Sequence, residues 1–209
     1  MNRHELVQHC RHADGDIGFV FFWGHHASPK GVTKSCFSQW YAAQFVIDGV
    51  TYKTAEHFMM AEKARLFGDD RALRRIIDSD GPKEAKAHGR AVQGFEEKVW
   101  RKHRTDIVVN GNLAKFQQNG ELRDFLVGTG AAVLVEASRG DQVWGIGLAQ
   151  QEADAKNPQR WKGENLLGFC LMRVRDILVH GEQDGAEQQS QPGSLRDSLN
   201  LSRDSLESL

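Results

Sequence analysis

No apolar run in the 209-residue chain approaches the roughly 20 residues that a helix needs to cross a bilayer, so a helical membrane protein is excluded and a soluble one expected. The amino terminus, Met1-Asn2-Arg3-His4-Glu5-Leu6, lacks the basic stretch and following apolar block of a secretory signal, which points to a cytoplasmic location. Cysteine is scarce: Cys10, Cys36 and Cys170 are odd in number, far apart and without paired spacing. Neither a disulfide framework nor a zinc site follows from them, and they read as buried or idle thiols in a reducing compartment. The nine histidines include His25-His26 and His57 but no His-x-x-x-His spacing that sets two imidazoles on one helix face. Adjacent histidines rarely chelate together, so a metal hydrolase is a minor alternative and no metal or cofactor is expected. Nor does charge of one sign dominate, since 27 basic residues face 28 acidic ones for a formal net charge of −1. Six acids and only two arginines lie in 181–209, which leaves residues 1–180 with 25 basic against 22 acidic residues. A mildly basic body helps to hold a phosphorylated ligand but falls short of the concentrated basic face of a nucleic-acid binder.

What is present is an ordinary globular composition, 40% hydrophobic and 26% charged, at a length suited to one domain. The expected organisation is an N-terminal segment 1–16, a folded domain 17–180 and a disordered polar tail 181–209. Within the tail, 194–199 and 202–206 form a near-repeat with the makings of an amphipathic turn or two. In the domain a short apolar strand is expected at 17–22. A hairpin is expected around Asp48-Gly49, because both turn residues tolerate positive φ between two apolar stretches. Thr54 is a good cap for a helix over 55–67 that Gly68 stops. Further helices are expected at 70–77, 83–90, 96–116, 121–127 and 166–178, with a buried strand at 133–137. The class is α+β, helix-dominated, in a single domain with a few short strands.

Two places carry chemistry. Glu56 falls in the first turn of its helix, where unpaired amides and the helix dipole stabilise a carboxylate; alone it is ordinary helix complementation. Lys63 follows seven residues later, nearly two turns on and about 10 Å along the axis, so Met59, Met60 and Lys63 can form one wall beside Glu56. The second place is Asp141-Gln142-Val143-Trp144-Gly145-Ile146-Gly147, where a carboxylate and an indole stand three apart on a loop that two glycines let approach a ligand closely. Five tryptophans, at 23, 40, 100, 144 and 161, exceed ordinary packing needs and suit aromatic walls for a base.

Taken in order, a longer set of segments resembles the NADAR family. They are Phe22-Trp23-Gly24, Ser38-Gln39-Trp40-Tyr41, Tyr52-Lys53-Thr54-Ala55-Glu56-His57-Phe58-Met59-Met60-Ala61-Glu62-Lys63-Ala64, Gly89-Arg90, Trp100, Lys115-Phe116, Leu126-Val127-Gly128-Thr129-Gly130, Leu134-Val135-Glu136-Ala137-Ser138, Asp141 to Gly147 and Trp161-Lys162-Gly163-Glu164-Asn165-Leu166-Leu167-Gly168. The resemblance implies a compact, largely helical fold with a pocket for a ribose-phosphate or ADP-ribose-like ligand. It implies N-glycosidic chemistry, either on early riboflavin-pathway intermediates or on ADP-ribose attached to guanine in nucleic acid. By position it implies catalysis or substrate placement for Glu56, Trp100, Asp141 and Trp144, and covalent attack on the sugar for Lys63. Trp23, Gly24, Trp40, Gly145, Arg90 and Asn165 are the further substrate contacts expected, with Lys115 a candidate phosphate or ribose contact. Where family members commonly read Ser-Asn-Phe this chain has Ser38-Gln39-Trp40, a change at the base or phosphate end of the pocket. Cleaving a ribosyl C–N bond needs a proton source, an anionic stabiliser and a group that captures the anomeric carbon, and two carboxylates with a lysine meet that need. The alternative is a non-catalytic ADP-ribose or nucleotide binding module built from the same tryptophans and acids.

Overall fold

In the computed structural model residues 1–12 and 17–189 are described. The chain runs α1 (Arg3–His12), β1 (Phe19–Phe22), β2 (Phe45–Ile47), β3 (Val50–Tyr52), α2 (Ala55–Leu66), α3 (Asp70–Asp78), α4 (Pro82–Arg90), α5 (Glu97–Gln118), α6 (Gly120–Val127), β4 (Val133–Glu136) and α7 (Leu166–Gln189). This is the helix-dominated α+β architecture expected. Among the described residues no helix is long and apolar enough to cross a membrane.

Local signals account for most of the elements. Asp48 and Gly49 both take positive φ, 50° and 76°, and close the antiparallel pair β2–β3. Thr54 is extended and accepts the His57 amide, capping α2, while Asp69 accepts the Ala72 amide and caps α3. Pro82 opens α4 at a position where no intrahelical N–H is needed.

Long-range packing then sets the layout. β1 pairs in parallel with β4, Phe19 opposite Val133 through Phe22 opposite Glu136, across more than a hundred intervening residues. Helix α2 packs against α3, α4 and α5. Residues 55–61 and Ala64 are consequently buried on nearly every side of that helix, including the polar Glu56 and His57. His57 is held neutral in this setting: burial lowers its pKa, and its two ring nitrogens meet Thr54 Oγ1 at 2.8 Å and the Ser79 carbonyl at 3.3 Å.

Two ends differ from expectation. Helix α1 forms within the N-terminal segment, and its signal was an Asn2-x-x-Glu5 capping box in which each residue's side chain accepts the other's backbone amide, both at 3.0 Å. Its Leu6 is fully buried, and Arg3 donates to the Pro158 carbonyl at 2.9 Å. At the other end α7 continues past Leu178 to Gln189. Glu, Gln and Ala, which make up much of 182–189, are good helix formers. The near-repeat at 194–206 lies outside the described residues.

Candidate active site

A cavity of about 270 Å³ is lined by α2, α4, α5, the end of β4, the 38–40 segment and the loop at 141–144. Helix α2 contributes Glu56, Met59, Met60 and Lys63, α4 contributes Lys86 and Arg90, and α5 contributes Trp100. Asp141 and Trp144 come from the loop, Glu136 from β4, Leu167 from α7, and Ser38, Gln39 and Trp40 from the segment that follows a 3₁₀ turn at Lys34–Phe37. The two regions that drew attention in the sequence therefore meet at one cavity.

Glu56 is 2% exposed, and its Oε1 is buried without a hydrogen-bond partner among the described residues. Its backbone amide donates to the Gln39 carbonyl at 2.9 Å, tying the 38–40 segment to the start of α2. Burial pushes its pKa up to about 7; Lys86, a hydrogen bond from Trp40 and Arg90 oppose the rise, and Asp141 adds to it. A carboxyl poised near neutrality suits proton transfer in both directions.

Glu136 lines the same cavity, although the sequence motifs do not single it out. Its Oε2 is also buried and without a partner among the described residues, and its pKa is pushed up to about 8, first by burial and then by Asp141 and Glu56, with Lys86 opposing. The signal was present, since Glu136 is the one acid ending an otherwise apolar buried strand, on the same pleat face as Leu134. Lys86 was missed as well. It lies in reach of both glutamates electrostatically, and its Nζ stands 5.6 Å from the centre of the Trp40 ring.

Lys63 donates to the Gly89 carbonyl at 2.9 Å, with its Nζ 4.0 Å from the centre of the Phe95 ring. Burial lowers its pKa, Glu97 acts to raise it and Arg90 to lower it further. Asp141 organises its own loop: Oδ1 accepts the amides of Val143 at 2.9 Å and Trp144 at 2.7 Å, and its carbonyl accepts Gly147 N–H. The loop is stitched to 162–167 by a ladder of backbone bonds, among them Glu164 to Gln142, Asn165 to Gly145 and Leu167 to Trp144. Trp144 is braced by the buried Arg104, whose guanidinium lies 5.9 Å from its ring centre and binds Glu164 at 3.2 Å.

Several expected contacts lie elsewhere. Asn165 is fully buried and does not line the cavity; Nδ2 donates to the Leu134 carbonyl at 2.9 Å and Oδ1 accepts the Glu136 amide at 3.0 Å, so both ends of the amide serve β4. Gly145 also stays behind the wall, since a Cβ there would stand 2.8 Å from the Glu136 carbonyl, and glycine is what lets the loop lie against β4. Trp23, 74% exposed, and Gly24 are absent from the cavity lining, and Trp161 is a core residue donating to Ala155. Lys115 is fully buried and donates to the Cys36 and Ser38 carbonyls at 2.6 and 3.0 Å, which makes it a brace for the 38–40 segment rather than a ligand contact.

Fold and site together define a helix-rich α+β protein with a small-ligand pocket walled by carboxyls, amines and indoles, the equipment of a hydrolase for a polar ligand. The chain belongs to the NADAR family, whose domain matches residues 21–179. It is 41% identical over 163 residues to N-glycosidase R617 of Acanthamoeba polyphaga mimivirus, covering 76% of this chain and 95% of that protein. It is 32% identical over 143 residues to N-glycosidase YbiA of Escherichia coli, covering 68% of this chain and 81% of that one. The NMR structure of the E. coli protein YbiA superposes with a TM-score of 0.60 at 27% identity, covering 85% of this chain and 91% of that chain.

Proposed function

We propose that this chain, an N-glycosidase like its relatives, hydrolyses the bond between the anomeric carbon of a phosphorylated ribose and a nitrogen base. The observation that carries the reading is Glu56, a buried carboxyl with a free oxygen on the wall of the same cavity as Lys63, Asp141 and Glu136.

Breaking the ribosyl C–N bond leaves positive charge on the sugar and an electron pair on the departing nitrogen. Glu56 in its acid form protonates that nitrogen. The charge of Asp141 stabilises the sugar cation, and Glu136, kept protonated at neutral pH by its burial, hydrogen-bonds a ribose hydroxyl. Lys63, whose lowered pKa enlarges the fraction of neutral amine, adds to the anomeric carbon as the base leaves. The ring opens to a Schiff base; water adds to it, with the Glu56 carboxylate taking up the proton, and the sugar and free amine are released. Arg90, exposed on α4, and Lys86 supply positive charge for the phosphate.

The cavity volume lies near the lower end of the range for small-ligand pockets, about 300 Å³ upward. This favours a phosphoribosyl group on a single-ring base, the size of an early riboflavin-pathway intermediate, over ADP-ribosylated guanine. Side-by-side assays of a phosphoribosylaminopyrimidine and of ADP-ribosylated DNA test the choice. Faster turnover of the DNA, falling steeply as salt rises, would reverse it. Glu56→Gln is expected to lower kcat by about 10²–10⁴ with the fold intact, as for loss of a general acid; a fully active Gln variant overturns the assignment. Borohydride added during turnover is expected to fix the sugar on Lys63, and an unmodified Lys63 peptide would transfer the capture step to water.

A further inference from the structure

The side-chain amide of Gln39 is oriented by a relay that starts in the middle of α5. Asn112, fully buried, donates Nδ2 to the Val108 carbonyl at 2.8 Å, one turn back in its own helix. A backbone carbonyl only accepts, so the NH₂ end of Asn112 faces it and Oδ1 faces the other way. That Oδ1 takes a hydrogen bond from Gln39 Nε2 at 3.0 Å. The same polarity passes to Gln39, whose Oε1 is left buried and without a partner among the described residues, on a side chain that lines the cavity. The backbone around it is equally constrained. Gln39's own carbonyl holds the Glu56 amide, and the carbonyls of Cys36 and Ser38 hold Lys115. Turning the amide over would set Oε1 against Asn112 Oδ1, acceptor against acceptor.

We propose that Gln39 is a specificity-determining residue whose Oε1 accepts a hydrogen bond from an amino or ring N–H group of the substrate's base, with Asn112 as the positioning residue that fixes its polarity. The proposal rests on the N-glycosidase reading and names the chemistry of the base. The base, rather than the sugar, falls to Gln39 because the adjacent Trp40 lines the same cavity and offers a ring to stack on. The sugar falls to Glu56, Glu136 and Asp141, the three carboxyl groups of the cavity wall, which the reaction requires at the anomeric carbon and the ribose hydroxyls. A base lacking a donor at this point leaves a desolvated carbonyl unpaired, and a base with a carbonyl there is repelled. Discrimination of this kind is far steeper than that of shape alone.

The test uses a matched pair of phosphoribosylaminopyrimidines, one bearing a ring amino group and one with hydrogen in its place, together with the two free pyrimidines. Hydrolysis of the first pair and calorimetric binding of the second are measured for the full chain, Gln39→Met and Asn112→Leu, with thermal unfolding of each. Wild type is expected to prefer the amino member by about 10- to 100-fold in both kcat/KM and affinity. Gln39→Met should bring the ratio near one by loss on the amino member only. Asn112→Leu, which frees the amide to turn, should shrink the ratio as well, a change that lost stability alone does not produce. Equal handling of the pair by wild type, no binding of either pyrimidine, or an unchanged ratio in a folded Gln39→Met overturns the proposal. Preference in binding without hydrolysis of either riboside leaves Gln39 standing and removes the N-glycosidase reading for this substrate. Hydrolysis without preference does the reverse.

Discussion

Lys63 and Lys115 are both helix lysines whose ammonium groups lie beside aromatic rings and donate to backbone carbonyls, yet they belong to different parts of the molecule. Lys115, in the packed region between α5 and the 36–38 backbone, has no exposure, two carbonyl partners and the rings of Tyr41 and Phe116 around it. Lys63, in the cavity wall, is half-buried and has one carbonyl partner. The same contrast separates two amides. Asn165 has both ends engaged by the β4 backbone, whereas Gln39 has one end engaged and the other free. Here the lysine and the amide held at more points by backbone lie behind the wall, and the two held at fewer belong to residues that line the cavity.

The comparison breaks if the two lysines respond alike. Lys63→Ala is expected to lower kcat by at least about 10²-fold, as for loss of a nucleophile or essential charge, with thermal unfolding within a few degrees of wild type. Lys115→Met should do the opposite, destabilising the fold by about 3 kcal/mol in denaturant unfolding because two buried carbonyls lose their donor. Activity per folded molecule should fall less than in Lys63→Ala.

Asn165→Ala should cost about 2 kcal/mol by the same measurement, since it orphans the Leu134 carbonyl and the Glu136 amide together. A wild-type stability for this variant would return Asn165 to the list of ligand contacts.

A pH-dependent effect concerns Glu136, whose pKa is raised from an ordinary carboxylate's to about 8 by burial. Between those values the folded chain keeps a proton that the unfolded chain has lost, so this group's contribution to stability is complete at low pH and fades as pH rises through about 8. Glu136→Gln should therefore gain stability relative to wild type on going from pH 5 to pH 9, most of the change falling below about pH 8. No pH dependence in that difference would mean that Glu136 is solvated. Glu56, raised to about 7, predicts for catalysis that kcat declines above neutrality as its acid form is lost.

Much of the fold was legible locally. The Asp48-Gly49 turn, the Thr54 cap and the Gly68 stop placed their elements, and the strands read at 17–22 and 133–137 form as Phe19–Phe22 and Val133–Glu136. Their parallel pairing was not legible, because nothing local in either run names its partner. Among site residues, Glu56, Lys63, Trp40, Arg90, Trp100, Asp141 and Trp144 were singled out by motif and all line the cavity. Lys86 and Glu136 were passed over because a lysine on a mixed helix and an acid at a strand end look ordinary until α4 and β4 are seen to border the same space. Asn165, Gly145 and Lys115 fall outside the cavity lining, a distinction that motif membership does not carry, because a motif holds residues of the wall and residues that support it alike.

By itself the sequence determined the family, the helical class and most of the side chains that line the cavity, because capping, turn chemistry and ordered motifs are written in neighbouring residues. Only the tertiary structure decided which polar groups are free. That depends on partners 29 residues away for Asn165 and Glu136, 73 for Gln39 and Asn112, and 79 for Lys115 and Cys36. Burial, too, is a property of the assembled fold: Glu56 is an ordinary helix-start acid until α3, α4 and α5 close around α2 and remove its water.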